Sequence, residues 1–207
     1  MLVVVGGHSR NIGKTAVVSG LIRKMRNRKW TALKITQYGH GVCTSKGEPC
    51  GCEPGDAAEH PFSLSEEYEA GDTDSGRFLA AGAERSFWLR APSGQLQLAA
   101  KTIRKIRSQS EDLIIESNSV LEILEPDVFL MLLDFGCEDF KASSLRFLER
   151  ADAYVVIDRG INAPLWADVA RGLWDTKPQF LVAPPRYVTP DLVKFVNARP
   201  AAALKKI

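Results

Sequence analysis

The residues with the clearest chemical meaning lie near the start of the chain, in a glycine-rich stretch that ends in Gly13-Lys14-Thr15. An apolar run precedes this stretch and apolar residues recur at helical spacing after it, which predicts a strand over residues 1–5 followed by a helix. In such a unit, the backbone N–H groups of the turn and of the helix N-terminus point at a bound phosphate group. We therefore predict a phosphate-binding loop with these residues at the nucleotide: Gly7, Ser9, Arg10, Asn11, Ile12, Gly13, Lys14, Thr15 and Ala16.

Two side chains of this loop carry its predicted chemistry. Lys14 would reach the β- and γ-phosphates of a nucleoside triphosphate, where its charge would offset that of the transferred phosphoryl group. The hydroxyl of Thr15 would bind magnesium. The alternative is a chance Gly-Lys-Thr sequence in a tight turn, and the strand and helix patterns on both sides of the loop argue against it.

Lys34 and Glu116 stand at the carboxyl ends of two further predicted strands, over residues 30–35 and 112–116. Open α/β sheets bind ligands at this edge, so both side chains could face the phosphate-binding loop. Lys34 could then contact an anionic substrate or the γ-phosphate, and Glu116 could bind magnesium or orient the nucleophile. The alternatives are a lysine that extends into water from a strand end and a carboxylate that only caps a strand.

A short helix is predicted over residues 72–83, beginning with aspartates and ending at Gly82. Asp74 at its start could bind magnesium or position a water molecule. Arg77 could contact phosphate or pair with an acidic neighbour. Helix capping alone would also explain an aspartate at this place, so both interpretations stay open.

Residues 40–75 show no apolar period and contain most of the cysteines and histidines of the chain. A loop of this length inside a compact domain is usually functional or held by a ligand. Four of its side chains could form a tetrahedral zinc site: Cys43, Cys50, Cys52 and His60. His40 is a competing fourth ligand, and unliganded reduced thiols or an iron–sulfur cluster are the alternatives.

The glycine-rich loop from Gly7 to Thr15 resembles that of dethiobiotin synthetase and its relatives. These proteins are a branch of P-loop proteins that includes the molybdopterin-guanine dinucleotide biosynthesis adaptor protein. Five residues separate Gly7 from Gly13, as in that branch, and Lys34 is followed by a glycine at the same distance. The segment around Asp74 resembles the adaptor protein, and Glu116 matches the end of the corresponding strand, although Ser117 replaces the glycine of those families. The matches are four short segments within a resemblance over most of the chain.

This resemblance implies a P-loop protein that binds ATP or GTP with magnesium and, as in dethiobiotin synthetase, uses the lysine after the second strand to contact substrate. The implied activity is nucleotide hydrolysis or phosphoryl transfer to a small anionic acceptor in cofactor metabolism. The alternative is a nucleotide-dependent adaptor or metallochaperone that delivers a cofactor or metal to a protein partner. The related families also suggest a homodimer.

Composition and charge narrow the class of partner. The chain has 207 residues, 45% of them apolar and 25% charged, with a net charge of +2, so neither a nucleic acid nor a membrane surface is favoured. No signal peptide or membrane-spanning run is recognised, which makes a cytoplasmic location the expectation.

The order of the predicted elements favours a three-layer α/β/α fold, because strands alternate with helices about seven times. We predict a mainly parallel sheet with helices on both faces, forming a single P-loop NTPase domain over residues 1–207 with a cysteine-rich insertion at about 40–75. The remaining predicted strands cover residues 84–90, 127–133, 153–157 and 179–183, and the remaining predicted helices cover residues 95–107, 142–150, 161–174 and 191–198.

Overall fold

The computed structural model describes residues 1–39, 62–161, 163–166 and 168–199. Its strands are β1 Leu2–Gly7, β2 Trp30–Tyr38, β3 Ser63–Glu67, β4 Arg85–Pro92, β5 Asp112–Glu116, β6 Val128–Asp134, β7 Ala153–Ile157 and β8 Gln179–Val182. Its α-helices are α1 Lys14–Lys24, α2 Asp74–Ala81, α3 Ala100–Gln109, α4 Ala142–Leu148 and α5 Pro190–Asn197. Short 3-10 turns cover Leu96–Ala99, Ser119–Glu122 and Arg171–Leu173.

These strands form a single eight-stranded sheet in the order β3-β4-β2-β5-β1-β6-β7-β8. Every neighbouring pair is parallel except β3 with β4 at one edge. The predicted α/β class and mainly parallel sheet are therefore confirmed. Because β1 lies between β5 and β6, the loop that leaves β1 lies beside the carboxyl ends of both neighbours.

Helices cover both faces of the sheet, and each face has its own hydrophobic core. Strand β1 shows the division, since Leu2 and Val4 belong to one core and Val3 and Val5 to the other. Buried residues of α3 and α4 pack in the first core, and those of α1, α2 and α5 pack in the second. A strand covered on both faces needs apolar residues at every position, as the start of this sequence has.

One predicted helix is wrong and one strand was not predicted. Within the described part of residues 161–174, the only helical segment is the 3-10 turn Arg171–Leu173. The apolar residues there serve an aromatic cluster instead, in which the rings of Trp166 and Trp174 pack edge-on against Phe135. The unpredicted strand is β3, which pairs antiparallel with β4 and is mostly polar. It lies within the predicted insertion at 40–75.

The proposed zinc ligands Cys43, Cys50, Cys52 and His60, with His40, lie outside the described residues. In the part of the chain that is described, no helix has both the length and the apolar content needed to cross a membrane.

Close packing at the end of β1 makes Gly6 intolerant of a side chain. A Cβ atom there would overlap Oδ1 of Asn118 and lie 2.8 Å from Cε2 of Phe129. We expect Gly6→Ala to lower the free energy of unfolding by about 1–3 kcal/mol, the usual cost of overpacking. Gly172→Ala is the control, because no atom of the described structure lies within 4 Å of a Cβ there. Equal changes in urea unfolding for the two variants would contradict this account.

Candidate functional site

The loop between β1 and α1 has the backbone geometry of a phosphate-binding turn. Asn11 and Gly13 adopt positive φ angles of 55° and 97°. A Cβ atom at Gly13 would also overlap the ring of Tyr187, so this position favours glycine twice. Gly13 is the N-cap of α1 and supplies no side-chain cap. The N–H groups of the first turn of α1 therefore keep their hydrogen-bonding capacity for a ligand.

Lys14 lies inside this turn and is partly buried. Its Nζ donates a hydrogen bond to the carbonyl oxygen of Ser9, at 2.6 Å. Burial lowers the pKa of Lys14, and although Glu116 opposes this effect, the neighbouring charges of Lys34 and Arg10 add to it. A cation held by a neutral carbonyl in such surroundings favours an anionic ligand.

Opposite this lysine, a chain of hydrogen bonds joins the other predicted site residues. The hydroxyl of Thr15 donates to Oε2 of Glu116 at 2.8 Å. Lys34 donates to Oε1 of the same carboxylate at 2.7 Å and to Oδ2 of Asp74 at 2.6 Å. Residues from the loop, β2, β5 and α2 thus meet at one point, although the Lys34 and Glu116 positions are 82 residues apart in the chain.

Strand register explains why these side chains meet. On the paired strands β2 and β5, Lys34 lies directly opposite Glu116, and Glu116 in turn lies opposite Val5 of β1. Glu116 is buried, with 4% of its side chain exposed, so its charge depends on close partners. Burial acts to lower the pKa of Lys34, but Glu116 and Asp74 outweigh it and raise that pKa.

Asp74 is not the cap of its helix. Thr73 is the N-cap of α2, and its hydroxyl accepts a hydrogen bond from the N–H of Gly76 at 2.9 Å. The side chain of Asp74 instead faces Lys34 and Thr15; burial acts to raise its pKa, but these two partners hold it below the usual value. Capping therefore does not explain this aspartate, while Arg77 is exposed.

His8 is the first of several site residues that the sequence did not reveal. It is fully buried, and its Nε2 accepts a hydrogen bond from the backbone N–H of Asp134 at 3.0 Å. The proton must then be on Nδ1, which donates to the carbonyl oxygen of Asp139 at 3.0 Å. Burial lowers the pKa of His8 to about 4, so the ring is neutral and fastens the loop to the end of β6.

Asn118 and Ser144 hold the residue at which the loop begins. The side-chain amide of Asn118 accepts from the N–H of Gly7 and donates to its carbonyl oxygen, both at 2.9 Å. Ser144 of α4 donates to the same carbonyl oxygen at 3.0 Å. Neither residue belongs to a local motif, since their contacts span more than a hundred residues of sequence.

The segment between β6 and α4 supplies the remaining contacts with the loop. The hydroxyl of Ser9 donates to Oδ2 of Asp139 at 2.5 Å, and the N–H of Lys141 donates to the carbonyl oxygen of His8 at 3.0 Å. Burial, with the charges of Lys14 and Arg10, lowers the pKa of Lys141 to about 8. The only sequence signal for these residues is that they follow an apolar strand.

The oxygen atoms at the site fit magnesium better than zinc. Among the described residues, no three His, Cys, Asp or Glu side chains group as a metal site. Magnesium in nucleotide sites needs fewer protein ligands, because it keeps water and phosphate oxygens and uses one or two carboxylates with a hydroxyl. Thr15, Glu116 and Asp74 offer these ligand types within one hydrogen-bonded cluster.

The strand, loop and helix at β1 and α1, with a carboxylate ending the neighbouring parallel strand, define an α/β protein with the P-loop NTPase fold. No protein-family model and no curated protein sequence matches the chain.

Solved structures provide the remaining comparisons. LpxK from Aquifex aeolicus, in complex with ATP, is similar at 16% identity with a TM-score of 0.47, over 87% of this chain and 53% of its own. HypB from Helicobacter pylori, in complex with nickel, is similar at 15% identity with a TM-score of 0.48, over 94% of this chain and 82% of its own. The signal recognition particle 54 kDa protein from Aeropyrum pernix, in complex with GDP, is similar at 14% identity with a TM-score of 0.48, over 96% of this chain and 45% of its own.

The chain thus spans about half the length of the LpxK structure that it matches. At identities and TM-scores this low, these likenesses carry no conclusion about activity, ligand or partner.

Lys34→Met tests whether the two carboxylates depend on this lysine. The substitution leaves the buried Glu116 without its cation, and we expect it to lower the free energy of unfolding by about 3 kcal/mol. Lys29→Met is the matched control, because Lys29 forms an exposed ion pair with Glu111, and exposed pairs contribute little to stability. Similar losses in urea unfolding for both variants would contradict a buried charge cluster.

His8 should make stability depend on pH between its two pKa values. The unfolded chain takes up a proton on His8 below pH 6.5, whereas the folded protein excludes it down to about pH 4. The contribution of His8 to stability is therefore complete above pH 6.5 and is lost as the pH falls toward 4. In denaturant unfolding, the stability difference between wild type and His8→Gln should shrink over this interval. A difference independent of pH would show that His8 can be protonated in place.

Proposed function

We propose that this chain binds a nucleoside triphosphate with magnesium and catalyses hydrolysis or phosphoryl transfer to a small anionic acceptor in cofactor metabolism. The observation that carries the proposal is the hydrogen bond between the Thr15 hydroxyl and Glu116, formed beside Lys14 in the turn. It joins the phosphate-binding loop to a strand-end carboxylate, and these are the two halves of a nucleotide and magnesium site.

The loop supplies the phosphate-binding half. Its positive-φ positions and the uncapped first turn of α1 present backbone N–H groups to a ligand. Lys14, which donates to the carbonyl oxygen of Ser9, would donate to a phosphate oxygen instead when the ligand binds. Hydrogen bonds from Asn118, Ser144 and His8 already fix the loop, so binding would cost little conformational entropy of the backbone. Preorganised donors of this kind stabilise charge that develops on a transferring phosphoryl group.

The carboxylate cluster supplies the cation-binding half. Thr15, Glu116 and Asp74 would hold magnesium, which when bound would offset the charge of the triphosphate. In the present geometry Lys34 forms ion pairs with both Glu116 and Asp74. Lys34 can contact an anionic acceptor or a γ-phosphate only when Glu116 and Asp74 bind another cation in its place.

Calorimetric titration with non-hydrolysable ATP and GTP analogues tests this proposal directly. Wild-type protein should bind at least one analogue more tightly when magnesium is present. Lys14→Ala should weaken binding at least about 10-fold, because it removes a charged hydrogen bond to phosphate. Glu116→Gln keeps a hydrogen-bond acceptor for Thr15 but loses the charge, so it should lose most of the gain that magnesium gives.

Lys101→Met serves as the control, since Lys101 is exposed on α3. Release of phosphate from ATP and GTP should follow the same order among the variants. If neither analogue binds, or if Lys14→Ala binds and turns over like wild type, the proposed function is wrong.

A further inference from the structure

The charged groups of the site divide into two sets. In one set, Lys34 is neutralised by Glu116 and Asp74 through two short ion pairs. In the other set, the described residues provide no ion pair to a carboxylate for Lys14, Arg10 or Lys141, and Lys14 bonds only to a backbone carbonyl. The second set is therefore a group of cations that favours the binding of an anion.

Lys141 belongs to this set because the backbone holds it against the loop. Its N–H donates to the carbonyl oxygen of His8 at 3.0 Å, and it directly precedes α4, whose Ser144 is bonded to Gly7. The nearest acid on its own segment, Asp139, accepts the hydroxyl hydrogen bond of Ser9. Lys141 thus approaches the loop from the β6 side, whereas Lys14 approaches it from α1.

We propose that Lys141 is a further phosphate-contacting residue, which encloses the phosphate groups of the ligand together with Lys14 and Arg10. The inference rests on the proposed function for the ligand class, a triphosphate, but it needs neither a base nor catalysis. Nothing in the sequence around Lys141 forms a phosphate-binding motif. Its assignment comes from the contacts between its segment and the loop.

The same surroundings give Lys141 a signature that a structural lysine lacks. Burial and the charges of Lys14 and Arg10 lower its pKa to about 8, although Asp139 and Cys137 of its own segment act to raise it. A phosphate group placed among these cations reverses the local charge and returns the pKa toward its ordinary value of 10.5. At pH 8, Lys141 should therefore contribute uptake of about half a proton to the net proton exchange on binding, beside the contributions of Lys14 and of the ligand itself.

The experiment is calorimetric titration of the full chain with inorganic tripolyphosphate at pH 8, in buffers that differ in ionisation enthalpy. The dependence of the heat on the buffer gives the number of protons taken up on binding. Lys141→Met should weaken binding about 10-fold to 100-fold, because a charged hydrogen bond is lost. Lys141→Arg should keep most of the affinity, yet it should take up about half a proton less than wild type, because arginine is already protonated at this pH. Lys101→Met should match wild type in both quantities.

Folding does not obscure the result. Removing a cation whose pKa is lowered by folding should leave the urea midpoint of Lys141→Met at pH 7 equal to or above that of wild type. The inference is overturned if Lys141→Met binds tripolyphosphate as wild type does, if Lys141→Arg retains the full uptake, or if the wild type binds no tripolyphosphate.

Nucleotide titrations of the same samples separate this inference from the proposed function. Binding of tripolyphosphate that depends on Lys141, without binding of ATP or GTP analogues, would support the inference and defeat the proposed function. Nucleotide binding that does not change when Lys141 is substituted would support the proposed function and defeat the inference about Lys141.

Discussion

The site depends on the register of three parallel strands. Val5 of β1, Glu116 of β5 and Lys34 of β2 lie side by side, so the phosphate-binding loop, the carboxylate and the lysine leave the sheet at the same level. A shift of one residue in either pairing would turn Glu116 or Lys34 to the opposite face. The burial of both sheet faces is what prevents such a shift, because it would place a charge in the core and an apolar residue at the site.

Charge balance is the second constraint, and it accounts for the hydrogen bonds among the charged side chains of the site. A buried carboxylate such as Glu116 is costly unless it is paired, and Lys34 with Thr15 supplies the pairing. The cations near the loop form no ion pair with a carboxylate among the described residues, and burial together with neighbouring positive charges lowers the pKa values of Lys14 and Lys141. A ligand that carries negative charge to one set and a cation to the other would relieve both at once. A triphosphate with magnesium has this composition.

The fold could be predicted largely from the sequence because its central strands are mostly apolar and its helices are periodic. The turn between β1 and α1 and the strand end at Glu116 could be located for a related reason: each depends on a few neighbouring residues at the end of a strand. The predicted helix at 161–174 is wrong because Trp166 and Trp174 pack into the core from backbone that, in its described part, is helical only at the 3-10 turn Arg171–Leu173. The edge strand β3 could not be predicted, because a polar, half-exposed strand has no alternation of apolar and polar residues.

The rest of the site could not be predicted, because it is made by contacts between distant parts of the chain. Asn118 and Ser144 reach Gly7 across 111 and 137 residues, and no local pattern marks a side chain that will bond to a particular backbone carbonyl. His8 is a different case, since it lies within the predicted loop itself. Its role follows only from a backbone N–H at the end of β6, which selects the neutral tautomer.

These distant contacts also fasten the loop to the rest of the fold. The segment between β6 and α4 fastens the loop through His8 and Ser9, and the same segment carries Lys141. The groups that hold the loop in place and the residue Lys141 are therefore on one stretch of backbone. Any ligand that draws Lys141 inward pulls on the residues that order the loop, so phosphate binding and loop order should strengthen each other.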